Sequence, residues 1–303
     1  MKETEMTTAA PNVDVKTVRS FGHEWSTYDQ HRLADDEERT ARRFDEYFDI
    51  FPWDSLPDMP IGADVGCGSG RWALRVARRV GTLYCIDASA DALAVARRNL
   101  AGVTNCQFHH ASVAAIPIPK SSLDFCYSLG VLHHVPDTLA GIKDCVALLK
   151  PGAPFLLYLY YALDDRPWWF RAIWRVSDVV RRGIASLPLW TRRILTEIIA
   201  AVVYWPLARL SAAVESLGGD PSGLPLSWYR DKPFYTMRTN AYDRFATPLE
   251  QRFSRAEIET MMRQAGLEKI SFSTKMPFWC AVGRRRATIM EPTVDKLIAR
   301  GAA

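Results

Sequence analysis

The chain has 303 residues, 48% of them hydrophobic and 24% charged, and a formal net charge of +4 from 38 Lys+Arg against 34 Asp+Glu. These fractions exclude disordered, collagen-like and disulfide-scaffold classes. A balance so near neutral does not mark a dedicated nucleic-acid binder. The six cysteines (Cys67, Cys85, Cys106, Cys126, Cys145 and Cys280) form no CxxC pair and sit mostly in apolar runs. Reduced thiols in a cytoplasmic protein are expected, with no metal site. The N-terminus lacks the apolar stretch of a secretion signal. The uncharged apolar run over 198–208 has 11 residues, short of the roughly 20 that a membrane span needs, so a soluble chain is expected.

In chain order, residues 1–20 are expected to form a flexible arm and 21–60 an N-terminal helical segment, with a charged amphipathic stretch over 35–50. A strand at 61–65 runs into Gly66-Cys67-Gly68-Ser69-Gly70, and a helix follows over 71–79. Next come a strand at 82–86 ending on Asp87, a helix over 90–100, strands at 106–109 and 123–129, and a helix over 139–149. A Pro151-Gly152 turn leads into a strand at 155–160. This alternation means crossover units on a parallel sheet.

The alternation stops at 161. Residues 167–217 are helical and amphipathic, with interruptions at Gly183, Pro188 and Pro206, and the polar-aromatic stretch around 235–244 is expected as a surface loop. Ser254 with Glu257 forms a capping box for a helix reaching 265, and two strands follow near 268–274 and 278–283. The resulting division is a core over 61–160, a helical cap over 161–245, a return to the core over 246–285 and a tail from 286.

Glycines 66, 68 and 70 stand where a strand turns into a helix, so the backbone can approach a ligand and unpaired helix N–H groups face it. A dinucleotide-binding turn would need glycine at 71, where Arg71 stands. With Asp64 two residues before Gly66, this region resembles the class I S-adenosylmethionine-dependent methyltransferases. Further stretches fit in order: Cys85-Ile86-Asp87, Ala111-Ser112-Val113, the segment from Leu123 through Ser128 to His133-His134, Leu149-Lys150-Pro151-Gly152, and 253–266.

The resemblance implies a Rossmann-like, doubly wound, seven-stranded, mostly parallel sheet with a C-terminal antiparallel pair and a helical insertion after strand five. It also implies S-adenosylmethionine as cofactor. Gly66, Gly68, Gly70 and Ser128 would surround it, and Asp64 would orient the turn or meet its ammonium. Asp87 would take its ribose hydroxyls, and the adenine would lie between Ala88 and Val113. Ser112 stands where many members carry aspartate. Trp25 and Tyr28 are expected to close over the site. His134, where relatives with a loop base place it, or His133, would take the acceptor proton, a task suited to imidazole. Tyr235 and Arg238 are candidates for a substrate wall.

The implied reaction is methyl transfer to an oxygen or nitrogen of a small-molecule or lipid- or sugar-linked acceptor; the alternative is a regulatory protein that binds the cofactor without turnover. Residues 167–209 hold five of the ten tryptophans, arginines but no lysine, and only Asp178 and Glu197 as acids. A substrate lid, a peripheral contact with anionic lipid and a homodimer interface all suit such a segment. The position after strand four reads Ser128-Leu-Gly-Val in place of the family's aromatic-proline tetrad, which argues against nucleic acid.

Overall fold

A computed structural model describes residues 12–27, 37–163, 167–277 and 279–287. Seven strands form one sheet: β1 (Ile61–Val65), β2 (Thr82–Asp87), β3 (Cys106–His110), β4 (Phe125–Leu129), β5 (Pro154–Tyr158), β6 (Leu267–Phe272) and β7 (Cys280–Arg285). Their order is β3-β2-β1-β4-β5-β7-β6, with β7 antiparallel to both neighbours. This is the doubly wound, mostly parallel sheet with a terminal antiparallel pair that the resemblance implies. Strand order reverses between β1 and β4, and ligands in such sheets sit at the carboxyl ends of strands flanking that point.

The helices are α1 (Val15–Thr27), α2 (Glu37–Phe48), α3 (Ala73–Val76), α4 (Ala90–Asn99), α5 (Thr138–Leu148), α6 (Trp168–Ala185), α7 (Leu189–Ile199), α8 (Trp205–Ser216), α9 (Phe234–Ala246) and α10 (Arg255–Gln264). One face of the sheet packs Leu132, Ile142, Ile258 and Met262 against Phe155 and Leu157. The other packs Phe44, Phe48, Trp72 and Leu93 against Phe125 and Tyr127. The Ser254–Glu257 capping box forms in full.

Three expectations are corrected. Residues 15–20 are not an arm: α1 begins at Val15, where the Asp14 carboxylate accepts from the Thr17 amide at 2.7 Å. The stretch 234–246 is not a loop but α9, whose Met237, Ala241 and Phe245 recur every four residues and meet Ile184, Ala200, Tyr204 and Ala208. Pro206 does not break the cap: α7 and α8 join through a π-wound segment, Ala200–Tyr204. Five-residue winding there absorbs the hydrogen bond that proline cannot donate. The resulting helix, Leu189–Ser216, has 28 residues and is long and apolar enough to cross a membrane, which the 11-residue uncharged run had seemed to exclude. Most of the tail expected from 286 lies outside the described residues.

Candidate functional site

The chain after β1 must turn sharply, and Gly66 and Gly68 do so at φ +82° and +53°. A Cβ on Gly66 would stand 2.3 Å from Val131, and one on Gly68 3.2 Å from the Trp25 indole. The turn is tied to β2. The amides of Gly66 and Cys67 donate to the Ile86 carbonyl, and the Gly68 amide donates to Asp87 Oδ2 at 2.9 Å. Asp87 Oδ1 accepts from the Ser89 amide at 2.8 Å. One carboxylate thus fixes both the glycine turn and the start of α4.

Above this floor lies a cleft with about 1010 Å³ of atom-free space, opening to solvent. Helix α1 roofs it with Thr17, Val18, Phe21 and Trp25. Asn12, just before α1, exchanges two hydrogen bonds with the backbone of Asp137 and so pins the roof at one end. Of the residues expected from the sequence, Gly66, Gly68, Asp87, Ala88, Ser112, Val113, Trp25 and His134 line the cleft together.

The rest stand elsewhere. Gly70, at φ +77°, packs on Leu100 of α4's C-cap. Ser128 Oγ donates to the Val65 carbonyl and joins β4 to β1. Asp64 is buried beneath the turn and accepts from Tyr127 Oη at 2.9 Å. His133 is fully buried and stacked on Tyr160, ring centroids 3.8 Å apart. The substrate wall proposed at Tyr235 and Arg238 lies outside the cleft: Arg238 pairs with Glu197, and Tyr235 packs with Tyr242 and Ala246. Tyr28 lies outside the described residues. No local pattern marks Asn12, Thr17, Phe21 and Val131, which line the cleft through α1, the turn before it and the β4 loop.

Burial pushes the Asp64 carboxyl up to about 8, helped by the nearby Asp87 charge and opposed by the Tyr127 hydroxyl. Burial also raises Asp87, against the pull of the Ser89 and Gly68 amides and of His110. Two acids raised in this way call for a cation. Ser112 Oγ is buried and has no hydrogen-bond partner among the described residues. The bare glycine turn, the orphaned hydroxyl and the two acids fit a cationic nucleoside with an amino-acid arm.

The Asp64 displacement has a measurable cost. Between pH 4 and 8 the folded protein keeps a proton that the unfolded chain releases, so stability is lost as pH rises through that window. Asp64→Asn should therefore raise the Tm of the cofactor-free protein by several degrees at pH 9, where on the order of a few kcal/mol is relieved, and change it little at pH 4. The same variant should bind the cofactor within threefold of the parent at pH 7, where Asp64 is already mostly protonated beneath the turn. Scanning fluorimetry and titration calorimetry read the two effects.

Beside the cleft, His134 Nδ1 lies 2.6 Å from the Leu249 carbonyl, which can only accept. The proton therefore sits on Nδ1, and Nε2 is an acceptor, buried and without a partner among the described residues. Burial pushes the imidazole down to about 4, with the Leu249 carbonyl and Glu250 opposing and Arg181 and Arg252 assisting. His133 is also driven far down, by burial first and then by His134 and Arg252.

Behind the two histidines a polar network joins core to cap. Tyr160 Oη donates to Asp243 at 2.7 Å, and Glu250 accepts from Arg244 and Arg252. Arg181 donates to the carbonyls of Thr247 and Pro248. Burial raises Asp243 to about 6, and Glu250 also raises it.

Residues 63–152 match a family model described as a methyltransferase domain. An uncharacterized methyltransferase of Mycobacterium tuberculosis is 28% identical over 140 residues, 44% of this chain and 68% of that protein. A ubiquinone biosynthesis O-methyltransferase of Paracidovorax citrulli is 36% identical over 92 residues, 29% of this chain and 39% of the relative. A demethylmenaquinone methyltransferase of Staphylococcus aureus is 32% identical over 92 residues, 29% and 38%. A solved S-adenosylmethionine-dependent methyltransferase from Aquifex aeolicus superposes with a TM-score of 0.42 at 13% identity, covering 82% of this chain and 96% of the other. The match over residues 63–152 and the order of the sheet support a class I S-adenosylmethionine-dependent methyltransferase with S-adenosylmethionine as cofactor.

Proposed function

We propose that the protein methylates an oxygen, or failing that a nitrogen, of a small-molecule or lipid- or sugar-linked acceptor, with His134 receiving the acceptor's proton. The observation that carries this reading is the unpaired Nε2 of His134 beside the cleft, its tautomer fixed by the Leu249 carbonyl. When bound, S-adenosylmethionine supplies an electrophilic methyl group on a sulfonium. Gly66, Gly68 and Asp87 would hold it, with Ala88, Ser112 and Val113 around its base.

His134 then aligns the acceptor hydroxyl. An imidazole this weakly basic takes the proton only as the oxygen gains its third bond and turns acidic, while alignment supplies much of the remaining rate. Helix α1 keeps bulk water from the reacting atoms. The names of the ubiquinone and demethylmenaquinone relatives support trying ring-bearing, lipid-linked acceptors first.

The test is release of the demethylated cofactor product on incubation with labelled S-adenosylmethionine and a panel of phenols, quinols, sugars and amines. Label transferred to an oxygen or nitrogen acceptor is expected. Tight cofactor binding with no transfer across the panel would favour a regulatory protein instead.

A further inference from the structure

The cap turns a long apolar face outward. Along α7 and α8, the residues Trp190, Ile194, Ile198, Val202 and Trp205 recur at spacings of four and three, and all are exposed, Trp190 to 68%. The opposite side of the helix (Arg192, Thr196, Ala200, Tyr204, Ala208) is buried, and it packs largely against α9. Only 22% of the most apolar 18-residue window is buried.

Helix α6 repeats the design. Trp168, Ile173, Val176, Val179 and Val180 are exposed, while Asp178, Arg181 and Ile184 face inward. At 100° per residue, Arg171, Arg175 and Arg182 fall in a row along one edge of that apolar arc, and all three are exposed. Across 167–209 there are seven arginines and no lysine against two acids.

We propose that this face lies on an anionic lipid bilayer, with the helices in the plane of the interface and the arginine row on the phosphates. Spanning is disfavoured, because the buried side of α7 holds Arg192, whose guanidinium donates to the carbonyls of Leu187 and Ala246 in the protein interior. Three observations favour lipid over a second copy of the chain. The stripe from Trp190 to Trp205 offers no side-chain hydrogen-bonding group between its ends, whereas protein interfaces carry about one hydrogen bond per 100–200 Å². Tryptophans stand in the first turn of α6 and of the continuous helix Leu189–Ser216, with Trp205 further along the same exposed stripe, where an amphipathic ring meets the headgroup level. The exposed cations border the apolar arc in the pattern that anionic headgroups complement.

The surface is coupled to the site. The carbonyl of Ala246, at the end of α9, accepts from Arg192 of the cap and from Ser20 of the roofing helix. Three residues on, the Leu249 carbonyl fixes His134. The cap therefore stands directly on the segment that orients the proton acceptor. This inference is independent of which acceptor is methylated.

Co-sedimentation of the full chain with vesicles of phosphatidylcholine alone, or mixed with phosphatidylglycerol, tests it. Binding at least tenfold tighter to the mixed vesicles is expected. Ile194→Glu with Ile198→Glu should abolish it, while Tm and cofactor affinity stay unchanged. Arg171→Gln with Arg175→Gln should narrow the difference between the two vesicle types. No binding to either vesicle would overturn the proposal, as would binding indifferent to the Ile194/Ile198 pair. A concentration-dependent dimer that the glutamates dissolve, without vesicle binding, would assign the face to a second copy.

Discussion

Asp87→Ala is expected to weaken S-adenosylmethionine binding by at least a hundredfold, read by titration calorimetry, with the fold intact by circular dichroism. Two losses combine. The carboxylate lines the cleft and, in the function proposed, accepts from the cofactor's sugar hydroxyls; hydrogen bonds to a charged group contribute about 1.5–3 kcal/mol each. It also holds the Gly68 and Ser89 amides at 2.9 and 2.8 Å, so its removal frees the turn on which the cofactor rests. Asp87→Asn should fall between, because its Oδ1 can still accept from Ser89 while its amide nitrogen opposes the Gly68 N–H. Binding by Asp87→Ala within threefold of the parent protein would remove this carboxylate from the cofactor's recognition.

The parts of this fold legible in the sequence are those whose signal is local. The β1 strand, the glycine turn and Asp87 lie within 27 residues and obey one spacing rule, and β1 and β2 pair in register from Ile61–Thr82 to Val65–Ile86. The capping box at Ser254 is likewise a four-residue statement. What stayed hidden depends on distant partners. His134 was a candidate from its position on the loop, but its tautomer is set by Leu249, 115 residues later.

Asp64 was expected to meet the cofactor or orient the turn, yet Tyr127 of β4 draws its carboxylate beneath the turn, a contact that only the β1–β4 pairing creates. Helix α9 escaped notice because Thr236, Arg238, Thr239 and Asn240 dilute its apolar stripe; its helical state comes from burial against the cap, since tertiary packing outweighs weak intrinsic propensity. A polar-aromatic stretch before the last core helix marks Tyr235 and Arg238 as wall candidates, but the Glu197 that claims Arg238 is on another helix.

Exchanging His134 for asparagine should lower kcat on whichever acceptor the panel identifies by about 10²–10³, the usual worth of a positioned general base. Cofactor affinity should change less than threefold, since Asp87 and the glycine turn are untouched. The pH profile separates a proton-accepting role from a packing one. With the imidazole held down to about 4 by burial, it stays neutral and competent well below the usual histidine range. The parent enzyme should therefore keep its kcat/KM down to about pH 5 and lose activity only as Nε2 becomes protonated, whereas a solvent-exposed histidine near 6.5 would already fail below pH 7. The residual activity of His134→Asn should lack that acid limb, because the imidazole whose protonation produces it is gone. A kcat within threefold of the parent, or an acid limb retained in the variant, would mean that alignment alone carries the transfer and that the Leu249–His134 bond is only a fastening of the loop.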